Sequence, residues 1–333
     1  MKIHYVIEAL FIGCFTLGSA FAVSGQAGVF ALRDGGARST ALADAQTAQP
    51  MVSSALMLNP AGLYQLRHWE GAYFGSEYSD FDAGYSGFGA WRKKEAKWVL
   101  AASLNHQGDE VFGQDELRLG GNYSLGNVHA GATWILRHAG TGSEGTDFVD
   151  SESGVNHRVE AEAWGLMGLD AGLIITPFGS RYALGVVFQN LISQVAWSSS
   201  NEARSTSGDY TQYLPVNMRY GFMANPDPFM GFHVDLEPTL YHDGQSRLAT
   251  GLEFTPLELL PDFSAKTHIH DLLKIRFGYG RNIFTADAYH RLALGAGFKM
   301  KYREYEMNAD LGYQFLLSLG SANALGISVS IAK

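Results

Sequence analysis

The sequence predicts an all-β protein, a transmembrane outer-membrane β-barrel of about 14 antiparallel strands with an N-terminal hatch segment inside it. Three observations lead there. Of 333 residues, 46% are hydrophobic, only 17% are charged and 39 are Gly, whereas an ordinary soluble domain is about 25% charged and about 7% Gly. Such a composition argues against disorder. Mean hydropathy is only -0.06, so the apolar residues are interspersed with polar ones, and beyond residue 22 no run approaches the roughly 18 apolar residues of a spanning helix. From residue 69 onward, short segments alternate apolar residues with polar or small ones.

Residues 1–22 read as a secretory signal peptide, with Lys2 near the start, an apolar centre from Ala9 to Leu17 and an Ala20-Phe21-Ala22 cleavage motif. The mature chain then starts at Val23, and Gly25-Gln26-Ala27 offers a second cleavage point. A lipoprotein reading through Cys14 is weaker, because Phe11 stands where Leu is usual. Cys14 is the single cysteine of the chain, so its removal closes off disulfide and thiol chemistry. A net charge of -9 with few Lys/Arg clusters makes nucleic acid a poor partner.

Residues 23–66 form the next unit and lack the strand pattern. Ala and small residues dominate, Met51 to Leu58 suggests a short helix, and the Asn59-Pro60 step ends it, because the residue before proline disfavours the helical region. Ahead of a barrel, such a segment has a natural place inside as a plug or hatch; the plainer alternative is a periplasmic tail.

Residues 67–333 form the barrel. In 305–315, Tyr305, Met307, Ala309, Leu311, Tyr313 and Phe315 share one face, and Glu306, Asn308, Asp310, Gly312 and Gln314 the other. Segments 291–300 and 273–280 split in the same way. Successive strand residues point to opposite sides of the sheet, so each segment is a two-faced strand. Fourteen such segments are found, near 69–78, 85–92, 97–107, 116–125, 128–138, 159–174, 182–190, 214–224, 232–241, 246–254, 272–280, 291–300, 304–315 and 324–332. In lipid every backbone N–H and C=O must be paired, which requires closure. Loop parity agrees: 93–96, 126–127, 175–181 and 301–303 are short, as periplasmic turns should be, whereas 108–115, 139–158, 191–213 and 281–290 are long and polar, as external loops should be. Segment 255–271 breaks the rule and reads as a small periplasmic excursion. A soluble sandwich or propeller would also give period-2 strands. Gly-rich, oppositely charged polar faces and aromatics near predicted strand ends (Trp69, Trp91, Trp98, Trp134, Tyr220, Tyr279) favour the barrel.

The run Gly36-Ala37-Arg38-Ser39-Thr40-Ala41-Leu42, then Ala43-Asp44-Ala45, then Leu58-Asn59-Pro60-Ala61-Gly62-Leu63 resembles the N-terminal signature of the PorV/PorQ family, within the wider FadL-like (long-chain fatty acid transporter-like) outer-membrane superfamily. In that family a Gly-Ala-Arg opening and an Asn-Pro-Ala-Gly-Leu box flank a small-residue stretch lying inside a fourteen-stranded barrel. The resemblance thus nominates Gly36, Ala37, Arg38, Asn59, Pro60, Ala61, Gly62 and Leu63 as a hatch motif. It implies a non-enzymatic role in binding or shuttling exported cargo at the cell surface, as in type IX secretion, with loops 139–158 and 191–213 as the contact surface. Two features depart from it: Gln49-Pro50-Met51 and Met57-Leu58 replace an Asp-Asp pair and an aromatic, and the chain ends in Ile331-Ala332-Lys333 rather than in an aromatic.

The predicted lumen carries opposite charges on adjacent strands. Glu253 stands one strand from Lys274 and Arg276, and Arg291 and Lys299 stand one strand from Glu306 and Asp310. Confined charges persist only when paired, as a structural ladder gripping the hatch or as a polar translocation path. The alternative function, a FadL-like uptake channel for a fatty acid or aromatic hydrocarbon, requires an apolar pocket near the hatch built from residues such as Phe30, Leu32, Met51, Met57 and Leu58. The implied partners are therefore outer-membrane lipid, secreted cargo or secretion components, or a hydrophobic small molecule. Enzymatic signals are weak: Gly84-Tyr85-Ser86-Gly87-Phe88 misses the second Gly of a nucleophile elbow, and no zinc-protease or phosphate-loop motif occurs. His268-Ile269-His270-Asp271 reads as a solvated cluster in preference to a metal site, and no cofactor is expected.

Overall fold

The structure is a computed structural model that describes residues 35–333 apart from 79–80, 109–111, 142–145, 150–155, 202–205, 239–245, 257–272, 284–289 and 318–322. The signal peptide, Phe30, Leu32, most of the 255–271 excursion and the His268–Asp271 cluster lie outside the described residues.

Sixteen strands follow in chain order: β1 (Trp69–Tyr78), β2 (Phe81–Trp91), β3 (Trp98–Gly108), β4 (Phe112–Leu125), β5 (Val128–Thr141), β6 (Thr146–Val149), β7 (Asn156–Ile175), β8 (Tyr182–Asn201), β9 (Thr206–Tyr213), β10 (Asn217–Asp227), β11 (Met230–Glu237), β12 (Ser246–Phe254), β13 (Leu273–Ile283), β14 (His290–Tyr302), β15 (Tyr305–Leu316) and β16 (Ala324–Ala332). They form one antiparallel sheet that closes through β1–β16 and β7–β8 pairing. β5 and β6 pair with successive parts of β7, and β9 and β10 with successive parts of β8. Each of these pairs is one broken stave, so the ring has 14 staves, as the periodicity predicts.

Alternation sets the two faces. On β3, Leu104 is 57% exposed and its neighbour Ser103 only 2%. Leu100, Phe277, Leu294, Leu311 and Ile327 are exposed in the same outward sense. An apolar belt of this extent is incompatible with water and belongs in a bilayer. Trp91 and Trp98 face outward at the turn-side ends of β2 and β3, with ring centroids 5.4 Å apart, where interfacial aromatics belong. Trp134, Tyr220 and Tyr279 instead lie within β5, β10 and β13, away from the strand ends.

The external loops are the main correction. Segment 191–213, expected as a loop, is mostly strand: β8 runs through Asn201 and β9 starts at Thr206. Likewise Gly108 and 112–115 belong to β3 and β4, and the described residues of 139–158 belong to β5, β6 and β7. At about 3.3 Å per residue, the 20 residues of β7 span roughly 66 Å, far beyond an apolar band about 25 Å tall. Above the membrane neither face must be apolar, so stretches such as Ser198-Ser199-Ser200 carry no period-2 signal and read as loop.

Residues 35–66 lie inside the ring as two short helices, Gly36–Ala41 and Ala55–Leu58, and a 3-10 turn, Pro60–Gln65. The second helix ends at Asn59, whose extended backbone (φ -160°) leads into Pro60 as expected. The first helix was not anticipated.

Candidate functional site

The candidate site is the lumen and the segment that fills it. Wall glycines make room for that segment. A Cβ on Gly131 would run into the Pro60 backbone, on Gly172 into Asn59, on Gly185 or Gly221 into Thr47 and Ala48, on Gly278 into Leu42 and Ala43, and on Gly312 into the Ala37 carbonyl. These six glycines stand on six different strands. The segment is therefore at backbone-to-backbone distance from the wall around much of the ring, which accounts for part of the Gly excess. Apolar contacts complete the seat: Leu56, Met57 and Leu63 pack with Phe74, Phe88 and Val99.

The motif residues have defined partners. Gly36 adopts φ +76°, open to glycine at little cost, and Ala37 is fully buried against β15 and β16. Arg38 donates from Nε to Glu253 Oε2 at 3.0 Å, and from Nη1 to Gln46 Oε1 at 2.8 Å and the Gln49 carbonyl at 2.9 Å. Asn59 donates from Nδ2 to the Thr47 carbonyl at 2.8 Å and accepts from the Ala61 N–H at 3.1 Å, capping the turn that Pro60 starts. The Ala61 carbonyl accepts from Asn122 at 3.1 Å. Gly62 has no room for a side chain beside Pro50, and Leu63 is fully buried.

The charged residues fall into clusters. Glu253 accepts from Arg38, from Lys274 at 3.1 Å and from Arg276 at 2.7 Å, and Arg276 also reaches Asp310 at 2.5 Å. Arg276 crosses the intervening β14 because Gly297 leaves its path clear. Lys299 pairs with Glu306 at 2.8 Å. Arg291 departs from the expected ladder: it stands opposite Leu316, not Glu306 or Asp310, and approaches Asp44 Oδ2 at 3.9 Å. The strand register places it near the far end of β15, where the inner segment supplies the carboxylate.

Ala43 and Asp44 both adopt left-handed backbone (φ 50° and 67°), a costly geometry for residues with a Cβ. Arg247 holds it, donating to the Ala43 carbonyl at 2.6 Å and Asp44 Oδ2 at 2.7 Å. Burial by itself raises the Asp44 carboxyl; Arg247, with Arg219 and Arg291, outweighs this and holds it below its ordinary 3.8.

Sequence reasoning missed two parts of this arrangement. Asp235 on β11 accepts through one oxygen from the Gln46 N–H at 3.0 Å, the Thr47 N–H at 2.8 Å and the Thr47 hydroxyl at 2.6 Å. A second network joins Glu116 to Arg118 at 2.5 Å and Arg137 at 2.9 Å, and Arg118 to Asp170 at 3.3 Å. Arg118 also donates to the Leu56 carbonyl at 3.2 Å. Glu116 and Arg118, two apart on one strand face, were the available signal; Asp235 finds its partners only in space.

A cavity of about 270 Å³ beside the segment is bounded by Arg38, Glu70, Glu253, Arg276, Lys299 and Glu306. It is charged, and among the described residues Met51 alone of the apolar residues proposed for a pocket borders it. Met57 and Leu58 are packed solidly. Among the described residues these side chains enclose no greasy tunnel.

No protein-family model matches the chain, and no curated protein matches it in sequence. Solved structures do resemble it. The Pseudomonas putida toluene transporter TodX superposes with a TM-score of 0.55 at 11% identity, over 89% of this chain and 96% of that one. The Acinetobacter baumannii outer membrane protein Omp33 gives 0.41 at 12% identity, over 80% and 98%. At such identities the likeness concerns the fold. With a closed ring, an apolar outer belt and the likeness to TodX together, the chain is a multi-strand β-barrel of the bacterial outer membrane.

Proposed function

We propose that this barrel does not conduct through its centre but works from its extracellular hairpins, binding or handing over exported protein cargo at the cell surface without chemistry of its own. That is the role implied by the PorV/PorQ-like motif. The supporting observation is the close seating of residues 36–66 against wall glycines, with Arg38, Asp44 and Asn59 anchored by buried or half-buried partners. A lumen so filled leaves the β5–β7 and β8–β9 hairpins as the surface available to a partner. Removing the tip of the β8–β9 hairpin, residues 198–209, should leave an inserted barrel that no longer retains exported protein at the surface. Retention unchanged by that deletion would overturn the reading.

A second reading is favoured by a specific observation. On the extracellular side of the segment, Ala139, Ala163, Val195, Trp197 and Leu214 form an inward apolar cluster, and the fold resembles that of a toluene transporter. On this reading the barrel takes up a hydrophobic small molecule. Uptake of labelled toluene or fatty acid by cells with and without the protein separates the two: a difference supports uptake, and none leaves surface binding.

A further inference from the structure

Lysine and arginine are few and scattered along the sequence, 24 in 333 residues, in a chain of net charge -9. Folding nevertheless gathers exposed Arg67, Lys93, Lys94, Lys97, Lys301 and Arg303 on one arc of the periplasmic rim. The arc is continuous. Lys301 stands at the end of β14 and Arg303 in the turn that follows, Lys333 just after β16 exchanges backbone hydrogen bonds with Trp69, and the Arg92 N–H bonds the His68 carbonyl at 2.7 Å, bringing the β2–β3 turn alongside. Arg92 is occupied with the carbonyls of Tyr64, Leu66 and Ala96. The carboxylates nearby are Glu70, buried at the start of β1; Glu95, exposed in the β2–β3 turn; Glu304, paired with Lys333 at 2.9 Å; and Glu306, paired with Lys299. Among the described residues no ion pair joins any of the six exposed cations to a carboxylate.

The cations surround a concavity. A cavity of about 450 Å³ opens here, lined by Arg67, Lys301, Arg303 and Lys333 together with the carboxylates Glu70, Glu304 and Glu306, and floored by Gln65 and Leu66 of the inner segment. A recess of that size accommodates a ligand rather than a lone ion, and its lining cations outnumber its carboxylates five to three, a positive excess whose field low-dielectric walls focus into the opening.

We propose that this basic mouth docks an acidic, extended peptide segment of a periplasmic partner. Charge selects the partner, and placement selects peptide over lipid. The bilayer meets the barrel at its outward wall, where Trp91, Trp98 and Tyr302 are exposed, whereas Arg67, Lys301 and Arg303 line a recess leading toward the lumen. This assignment is independent of which extracellular role the barrel plays, since it concerns the opposite end.

The test uses the full mature chain in nanodiscs of zwitterionic phosphatidylcholine and a fluorescent oligoglutamate peptide, read by anisotropy. Wild type binds the peptide at low salt, and near-molar salt weakens binding by roughly tenfold or more. Lys93→Glu with Lys94→Glu and Lys301→Glu lowers affinity by roughly ten- to a hundredfold. Reversal of Arg181, exposed in the β7–β8 turn on the opposite arc, leaves it unchanged. Gln at the same three positions serves if the reversed variant fails to insert, and must weaken binding in the same direction. No binding by wild type, equal binding by the triple variant, or loss of binding when phosphatidylglycerol replaces phosphatidylcholine would overturn the proposal, the last because lipid would then hold the cations.

Discussion

Replacing Asp235 by Ala should release the inner segment from the wall. Its carboxylate accepts three hydrogen bonds from Gln46 and Thr47, and both the aspartate and its partners are buried. Each donor left unsatisfied costs about 1–3 kcal/mol; with partial relaxation and water entry, the three together cost about 3–5 kcal/mol. Asp235→Asn retains one acceptor oxygen and should cost about 1–2 kcal/mol. The opening equilibrium is read with a Ser54→Cys reporter, since Ser54 is 1% exposed and the chain's natural cysteine lies in the predicted signal peptide. Every 1.4 kcal/mol is a factor of ten, so maleimide labelling should quicken by roughly a hundred- to a thousandfold in Asp235→Ala and by about tenfold in Asp235→Asn. Equal labelling of wild type and Asp235→Ala, or of Ala and Asn variants, would refute the argument that these hydrogen bonds hold the segment.

Three further outcomes are expected. Gly312→Ala, whose new methyl overlaps the Ala37 carbonyl, should lower stability to urea by about 1–3 kcal/mol, whereas Gly89→Ala, with open space around it, should be near neutral; equal midpoints would discount the close seating. Arg276→Met strands Glu253 and Asp310 in a buried site and should cost about 3–5 kcal/mol, partly recovered by adding Asp310→Leu; a midpoint like that of wild type would show the network to be dispensable. Because the Asp44 carboxyl is depressed in the folded barrel, its contribution is present above its unfolded value near 3.8 and lost as pH falls through the lower folded value. Labelling of the Ser54→Cys reporter, taken relative to a small free thiol at the same pH because only thiolate reacts, should therefore accelerate as pH falls below about 3.8, and Asp44→Asn should remove that component of the pH dependence; an identical relative profile in both would rule out Asp44 as its source.

Legibility differed with distance along the chain. The faces of β14 and β15 were readable because lipid demands an apolar residue at every second position, so Leu292, Leu294, Leu311 and Phe315 announce them. The extensions of β8 and β9 were not, because no lipid acts on them and serines serve on either face. Glu253 with Lys274 and Arg276 was legible as neighbours on adjacent strands. The Arg276–Asp310 pair was not, since it spans a strand and depends on Gly297 having no side chain. The motif 36–63 stood out by composition, and its partners Asp235, Arg247 and Gln189 had no local signal.

Alone, the sequence determined that the chain is a membrane barrel, how many staves it has and which residues of each face lipid, because side-chain alternation is a local consequence of strand geometry and solvent. Only the tertiary structure decided what the lumen holds and where its charges meet. Register and closure bring together residues more than two hundred positions apart, such as Arg38 and Glu253, and the scattered lysines and arginines became a single basic mouth only when the ring closed.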